Sequence, residues 1–380
     1  MRILVTFILS LLLIIGLLFL FKQKIGDIRP TILPEKTGDP PSTPLKLPEG
    51  YVIGTFVKDL GNVRDLEFSP GGTLLVSETS DGKVQALPDK NNDGKADEVK
   101  TVIQNLNNPH GLAFFNDKLF VVEETRVVRY NFAEETLEAR LDKVLFNIPP
   151  GARHSTRTID FDKTGRMFVS IGSSCDVCFE KEPWHGVVLI SDSEGNSPRI
   201  FAKGLRNSVF ITVHPETQEL WGTEMGRDFL GDNLPPDEIN IIKEGKDYGW
   251  PLCFGDQIPD KQFRSSTNVD DCQETEPPVH KIQAHSAPLG LTLTNQGDLL
   301  VAFHGSWNRS APVGYKVVRL DIEGDKVIKE EDFITGFLQG SQALGRPVDL
   351  IFDRAGSLYI SDDKAGAVYK VARKNTAISL

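Results

Sequence analysis

Histidine and arginine residues recur at one kind of position in this sequence, immediately before short apolar segments. A guanidinium group can bind an anion through two parallel N–H donors, and a neutral imidazole can accept a proton. If these side chains meet, they would form a pocket for an anionic ligand with a proton acceptor beside it; ordinary solvated loop residues are the alternative. The residues in these positions are Arg64, Asp65, His110, Arg153, His154, Arg206, Asn207, His285, Ser286, Arg346 and Asp349.

The apolar segments that follow these residues are copies of one hairpin. Each copy joins two short strands, rich in β-branched and aromatic residues, through a turn that contains Gly, Asn, Asp or Pro. Six copies at intervals of roughly 45–80 residues indicate a radial repeat, because one hairpin cannot bury both of its faces alone. The copies lie at 66–78, 112–124, 159–171, 211–224, 291–303 and 350–362.

We therefore predict an all-β fold, a six-bladed β-propeller over residues 49–373 with a long insertion at 225–288. A β-sandwich is the rival architecture, but it would not repeat the same hairpin six times. In a propeller the start of each inner strand opens onto the central axis. The residues that precede the hairpins should therefore converge on one face.

Residues 1–24 contain an uncharged apolar run from Ile3 to Phe21. A helix of this length, at about 1.5 Å per residue, would span a hydrocarbon core of roughly 30 Å. We predict a transmembrane helix that anchors the protein, with a cleaved signal peptide as the alternative. Residues 25–48 are rich in proline and predict an extended linker. The linker would hold the propeller away from the membrane, on the periplasmic or extracellular side.

Net charge and cysteine content limit the possible binding partners and indicate the redox environment of the protein. The chain of 380 residues has a net charge of −11 and no basic stripe, which argues against nucleic acid as a partner. An even number of cysteines in an exported chain favours disulfides. A zinc site made of all four cysteines is the alternative, and Phe179 stands where haem attachment would need His. The local disulfide pairs would be Cys175–Cys178 and Cys253–Cys272.

A turn between two strands predicts a second metal site. Residues 89–94 read DKNNDG, like the opening of an EF-hand calcium loop. Lys100 stands where such a loop would close with Glu, so an ordinary turn is the alternative. The oxygen ligands would come from Asp89, Asn91, Asp93 and Asp97.

Several longer motifs carry a family resemblance. They are GARHSTRTIDFDKTGRMFVSIG (151–172), GLRNSVF (204–210), TEMGRDFLGDNLPPDEINIIKEGKDYGWPLCFGD (223–256), HGSWNRSAPVGYKVVR (304–319) and GRPVDLIFDRAGSLYISDD (345–363). Together they resemble the glucose/sorbosone dehydrogenase family, specifically its sorbosone-dehydrogenase-like branch, over residues 48–372. The resemblance implies a six-bladed propeller that binds pyrroloquinoline quinone (PQQ) and a calcium ion.

The same resemblance implies the catalytic residues. His154 matches the general base, and Arg206 matches the residue beside the reacting carbonyl. Ser173 stands where glucose-oxidising relatives have an Asp that orients the base, and Asp176 is an alternative partner for that role. Val348 stands where some relatives have a second Arg.

The resemblance also implies the ligands of the cofactor and the metal. The backbone carbonyls of Gly226 and Arg227 match the calcium ligands. PQQ carries three carboxylates, which suit the forked donors of arginine. The cofactor contacts would come from Arg206, Asn207, Arg346 and His110.

The sequence therefore predicts a PQQ- and calcium-dependent dehydrogenase that oxidises an aldose sugar or a sugar-derived aldehyde such as sorbosone. Electrons would pass to a quinone or a cytochrome. One alternative is a propeller without a cofactor that binds a ligand or a protein through the same face. The other is a calcium-dependent, lactonase-like hydrolase, which would need several carboxylates at the axis.

Overall fold

Repeated hairpins build six four-stranded antiparallel sheets in the computed structural model, which describes residues 37–151, 153–263 and 272–374. The sheets are the six predicted blades, and each predicted hairpin supplies the first two strands of one blade. The first strand among the described residues, β1 (Tyr51–Val57), belongs to the sixth blade. Blades 1 to 3 consist of β2 (Val63–Phe68), β3 (Leu74–Glu78), β4 (Lys83–Leu87) and β5 (Lys100–Gln104); β6 (Leu112–Phe115), β7 (Lys118–Glu123), β8 (Arg126–Ala133) and β9 (Glu138–Asn147); and β10 (Arg157–Phe161), β11 (Arg166–Ile171), β12 (Val187–Asp192) and β13 (Arg199–Lys203).

The remaining blades follow in chain order, with two short ribbons between their strands. The ribbons are β17 with β18 and β24 with β25. The strands are β14 (Ile211–Val213), β15 (Leu220–Glu224), β16 (Asp237–Ile242), β17 (Cys253–Phe254), β18 (Ile258–Pro259) and β19 (His280–Ile282) in and around blade 4; β20 (Pro288–Leu293), β21 (Leu299–Phe303), β22 (Lys316–Glu323) and β23 (Lys326–Ile334) in blade 5; and β24 (Leu338–Gln339), β25 (Gln342–Ala343), β26 (Pro347–Phe352), β27 (Leu358–Asp362) and β28 (Ala367–Arg373) before and in blade 6.

Blade 4 corrects the predicted insertion. The segment 225–288 contains β16 and β19, which are the third and fourth strands of that blade. The true excursions are a loop over 225–236 and a longer one between β16 and β19. The strand β19 could not be recognised in the sequence, because the strand is only three residues long, from His280 to Ile282, and has little apolar content.

Packing between blades closes the ring. Five of the six apolar clusters described in the core take their side chains from two neighbouring blades, and the cluster of blades 4 and 5 also contains Val348 of blade 6. Between blades 2 and 3, for example, Phe120 packs in one cluster with Val169. Because β1 pairs with β28, with Ile53 opposite Val371, the start of the described chain completes the last blade.

Buried carboxyl groups add hydrogen bonds between blades. Asp349 of blade 6 accepts from the backbone N–H of Leu66 in blade 1, at 2.8 Å, and Asp65 accepts from that of Leu112 in blade 2, at 2.9 Å. Burial, and then the neighbouring Asp349, raises the pKa of Asp65, and burial raises the pKa of Asp349 to about 6. The two acids therefore hold a proton in the folded ring at a pH where the unfolded chain has lost it.

Stability should fall as that proton is lost. A carboxyl whose folded pKa is raised stabilises the fold fully below its unfolded pKa, and this contribution disappears as the pH rises through the folded value. We expect the free energy of unfolding of the wild type, relative to that of Asp349→Asn, to fall by about 1 kcal/mol between pH 5 and pH 7. Denaturant titrations measure it, with the exposed Asp325→Asn as control. Equal slopes for wild type and Asp349→Asn would contradict the assignment.

The linker expected over 25–48 does not act as a spacer in its described part. The backbones of Asp39 and Thr55 are bridged, as are those of Lys46 and Thr335. Leu45 packs against the core of blades 5 and 6. Residues 37–48 therefore lie on the propeller, where Leu45 and Leu47 are partly buried. The predicted transmembrane segment, 1–24, and residues 25–36 lie outside the described residues, and none of the described residues forms a helix long and apolar enough to cross a membrane.

Both predicted disulfides are confirmed. Cys175 pairs with Cys178 and Cys253 with Cys272, with Cα atoms 6.2 and 5.8 Å apart. The first bond closes the turn after β11, and the second ties the longer excursion of blade 4 to itself. The alternative of a four-cysteine zinc site is wrong, because disulfide sulfurs are not thiolate ligands.

Candidate active site

Residues that precede three inner strands line one cavity of about 310 Å³, a volume at the lower end for a small-molecule site. The cavity brings together the predicted site residues His154, Arg206, Asn207 and Gly226. Arg227 lines a smaller neighbouring cavity instead. The other residues of the larger cavity are Arg153, Met225, Asp228, Asp237, His285, Ala287, Trp307 and Asn308.

The tautomer of His154 follows from its partners. Its Nδ1 lies 2.9 Å from the Ser173 hydroxyl and 3.1 Å from the Ser173 carbonyl oxygen. The Ser173 hydroxyl donates its own proton to the carbonyl of Cys175, at 2.7 Å. Both atoms that face Nδ1 are thus acceptors, so we assign the proton to Nδ1. Nε2 then keeps its lone pair and can accept a proton.

Charge and burial keep this imidazole neutral. Burial, and then the nearby guanidinium groups of Arg206 and Arg153, lower the pKa of His154 to about 3. Histidine titrates near 6.5 when unperturbed. At neutral pH the ring is therefore entirely in the form that accepts a proton.

Arg206 is fixed by four contacts. It donates to the Asp176 carboxylate at 2.7 Å, to the Asp176 carbonyl at 3.0 Å, to the Met225 carbonyl at 3.2 Å and to Asp228 at 3.3 Å. Asp176 thus binds Arg206, and Ser173 takes the place beside His154. The alternative that Asp176 orients the base is wrong for this structure.

Two carboxylates of the cavity were not predicted. Asp228 binds Arg153 at 2.7 Å and accepts from Asn308 at 2.8 Å. Asp237 accepts from the backbone N–H groups of Gly226 and Ala287, both at 2.9 Å. Both acids lie inside the motif at 223–256, so its carboxylates were the signal that could have revealed them.

The donor set around Gly226 suits a hard cation. In the described part of the chain, no hydrogen bond reaches the carbonyl oxygens of Gly226 and Arg227. Carbonyl oxygens are ligands that calcium prefers. The predicted metal position is therefore supplied with oxygen atoms that have no protein partner among the described residues.

The charges of the cavity also call for a cation. Asp228 and the neighbouring Asp176 pair with the guanidinium groups of Arg153 and Arg206. Burial raises the pKa of Asp237, the other carboxyl that lines the cavity, to about 7. Each guanidinium is already paired with a carboxylate. A ligand with several carboxylates would thus meet no uncompensated positive charge unless a divalent ion came with it. PQQ together with calcium fits this arrangement.

Arg346 and His110 do not line the cavity. Arg346 donates to the carbonyls of His304 and Gly305, at 3.1 and 2.7 Å, and so holds the loop that carries Trp307. His110 is completely buried, and its Nδ1 lies 3.1 Å from the Arg157 carbonyl. The predicted convergence thus holds for blades 3 to 5, whereas the corresponding residues of blades 1, 2 and 6 pack among themselves. Val348 is buried in the apolar core.

The predicted second calcium loop folds as a hydrogen-bonded turn. Asp89 accepts from the backbone N–H groups of Asp93 and Gly94, at 3.0 Å each. Asp97 accepts from the N–H of Lys90 and from the side chain of Asn91. These hydrogen bonds link the predicted ligands within the turn, but among the described residues the oxygens of Asp89, Asp93 and Asp97 do not gather into a group that could hold a metal ion. This geometry favours the ordinary turn.

Comparisons with known proteins identify the family. The family model described as TrAA12-like matches residues 45–374. The chain belongs to the TrAA12-like family. It is also 31% identical over 353 residues to an uncharacterized protein of Borreliella burgdorferi, covering 86% of this chain and 90% of that protein. The family match, together with PQQ-dependent sugar dehydrogenases among the curated relatives, confirms the resemblance drawn from the motifs at the level of the family.

Characterised relatives of this TrAA12-like chain are more distant. It is 22% identical over 413 residues to the PQQ-dependent pyranose dehydrogenase of Coprinopsis cinerea, covering 89% of this chain but only 56% of that protein. Two solved structures superpose with a TM-score of 0.77 and cover 88% of this chain and 98% of their own. They are the calcium structure of Trichoderma reesei family AA12, at 22% identity, and the holo form of the Coprinopsis cinerea pyranose dehydrogenase PQQ domain, at 20%. They support the propeller fold.

Proposed function

We propose that this protein is a PQQ- and calcium-dependent dehydrogenase that oxidises C1 of an aldose sugar or a sugar-derived aldehyde. The observation that carries the proposal is the hydrogen-bond chain from His154 through Ser173 to Cys175, which leaves Nε2 as a proton acceptor in the cavity. The names of the relatives support the cofactor and the class of substrate.

Different residues of the cavity would bind the cofactor and the calcium ion. Arg206 and Asn207 would contact the cofactor, and the carbonyls of Gly226 and Arg227 would hold the calcium ion. Asp237 positions Gly226 by binding its N–H. When bound, PQQ supplies the acceptor for the hydride that leaves C1 of the sugar, and calcium polarises that acceptor.

His154 would remove the proton that balances the hydride. As the C1–H bond breaks, the C1 hydroxyl proton moves to Nε2 of His154 and a C1=O double bond forms, so that a cyclic aldose becomes a lactone. The Ser173 carbonyl then faces a positively charged ring and stabilises it. Negative charge from a polycarboxylate ligand in the cavity would raise the pKa of His154 from about 3 toward neutrality, which makes the ring a better base.

The carboxylates of the cavity do not favour hydrolysis. Both oxygens of Asp237 accept backbone N–H groups, and both oxygens of Asp228 are bound by side chains. Both acids therefore hold neighbouring groups of the protein in place around the cavity. We further propose that residues 1–24 attach the protein to a membrane and that the propeller lies on the periplasmic or extracellular side. A quinone or a cytochrome would then accept the electrons.

Reconstitution of the purified protein tests the function. We expect PQQ with calcium to give the protein a new absorbance band and dye-linked oxidation of aldoses. Controls omit the protein, PQQ or calcium in turn. Sugar oxidation without PQQ, or lactone hydrolysis alone, would assign a different reaction. Failure to bind PQQ would leave the cofactor-free binding protein as the function.

A further inference from the structure

A long segment without regular structure passes beside His154, between β11 and β12. Residues 172–186, all of which the structure describes, form neither helix nor strand. The segment contains Ser173, the partner of His154, and then the bond between Cys175 and Cys178. Because strand pairing does not hold this segment, its path depends on its side-chain contacts and on the covalent bond.

The turn closed by this bond presents two consecutive backbone carbonyls to the site. The Cys175 carbonyl accepts from the Ser173 hydroxyl at 2.7 Å, so the hydroxyl oxygen is left as an acceptor for Nδ1 of His154. The Asp176 carbonyl accepts from Nε of Arg206 at 3.0 Å. The path of the turn therefore determines both the tautomer of the base and the direction of the guanidinium group.

Asp176 also connects the turn to two segments of blade 4. Its carboxylate accepts from Nη2 of Arg206 at 2.7 Å and from the backbone N–H of Asp228 at 3.0 Å. Its carbonyl accepts from the indole N–H of Trp250 at 3.1 Å. Hydrogen bonds between ionised partners, such as that to Arg206, are shorter and stronger than neutral ones. A shift of the turn would therefore disturb several groups around the cavity at once.

The two disulfides of the chain differ in their accessibility. Cys253 and Cys272 are only 6% and 2% exposed, whereas Cys175 and Cys178 are partly exposed. A reductant must reach a sulfur atom to cleave the bond, so the bond in the turn should be reduced first. After cleavage, hydrogen bonds alone would hold the two carbonyls in place.

We propose that the Cys175–Cys178 bond positions His154 and Arg206 together, so that the active site assembles only when this disulfide has formed. The inference rests on the proposed function, because it adds a redox requirement to the same site. Reduction by a dithiol adds two electrons and two protons to the S–S bond and gives two thiols, while the dithiol becomes a disulfide. Ser173 and Arg206 then lose their fixed acceptors. The enzyme is thus inactive in a reducing compartment and active in an oxidising one.

Turnover of a variant without this bond tests the proposal. Cys175→Ser/Cys178→Ser, loaded with PQQ and calcium, should lose about 10–100-fold in kcat, because displacement of a reacting group by about 1 Å can cost about 10²-fold. KM for the sugar should change less than about threefold. Cys253→Ser/Cys272→Ser, which removes the other disulfide, is the matched control and should retain the kcat of the wild type. Equal losses of kcat in the two variants would overturn the proposal.

Reversible reduction of the wild type gives a second test. A dithiol is added and then removed by desalting before PQQ and calcium are loaded, and alkylation with mass spectrometry locates the thiols. Thiols at Cys175 and Cys178 should accompany the loss of kcat, and oxidised glutathione should restore both the bond and turnover. The variant without this bond should not respond to the dithiol. Full turnover while both thiols are free would overturn the proposal.

Hydrogen exchange separates the positioning role from the reaction. The backbone N–H of Ser173 donates to the carbonyl of Arg206 at 2.7 Å, and that of Asp228 donates to Asp176. Without PQQ, both amides should exchange faster in the variant that lacks the first disulfide than in the wild type or the control variant. This result would support the positioning role even if no sugar is oxidised. Unchanged exchange would overturn that role even if PQQ-dependent oxidation is found.

Discussion

His154→Ala should reduce kcat by about 10²–10⁴-fold, the usual cost of removing a general base. PQQ and calcium should still bind, because the imidazole is not among their expected ligands. The melting temperature should barely change, since among the described residues the ring forms hydrogen bonds only with Ser173. Dye-linked turnover per cofactor-loaded molecule, with PQQ occupancy measured by absorbance, gives the comparison.

His214→Ala is the matched control for this variant. His214 lies in the turn between β14 and β15, where its Nδ1 accepts from the N–H groups of Glu216 and Thr217. Its loss should lower stability slightly and leave turnover unchanged. If His154→Ala behaves in the same way, the residue only packs against the strand and another group takes the proton.

Removal of divalent ions should weaken PQQ binding by about 10²–10⁴-fold. Two charge-assisted contacts, at about 1.5–3 kcal/mol each, would be lost when the carbonyls of Gly226 and Arg227 no longer hold a cation against the cofactor. The negative charge of the cofactor would then lie near Asp228, whose guanidinium partners are already paired, without a divalent ion to offset it. Equilibrium dialysis of PQQ against chelated and calcium-replete protein measures the difference.

Calcium added back should restore the affinity, while sodium at matched ionic strength should not. Magnesium is a further control, because it demands stricter geometry and keeps its waters. Retention of tight PQQ binding after exhaustive chelation would show that calcium does not bridge the cofactor to this protein.

The propeller was predictable because its signal is local and repeated. Each hairpin is recognisable from its alternating apolar residues and its turn. Six such hairpins are compatible with few closed folds, of which the propeller is one. The strand β19 was not predicted because it pairs with β16 through only three residues, from His280 to Ile282, and these residues do not alternate between apolar and polar over a recognisable length. Its position is set by tertiary contacts, which no local window contains.

The site was predictable only where it follows the repeat. His154 and Arg206 precede inner strands, and this position in the repeat was enough to predict that they line the cavity. Asp228 and Trp307 come from loops whose paths depend on mutual hydrogen bonds, and composition alone could not place them. Ser173, which the sequence places at the position of the base-orienting Asp of relatives, does contact His154, whereas the alternative partner Asp176 binds Arg206.

The pairing of β1 with β28 has a consequence for biosynthesis. A ribosome makes Tyr51–Val57 before the other strands, yet its partner Ala367–Arg373 emerges last. The early strand therefore keeps an unpaired edge while the other five blades are translated, and the ring can close only after Ala367–Arg373 has been made. Arrest of translation before Ala367 would leave an unclosed arc whose exposed edges are substrates for chaperones and proteases.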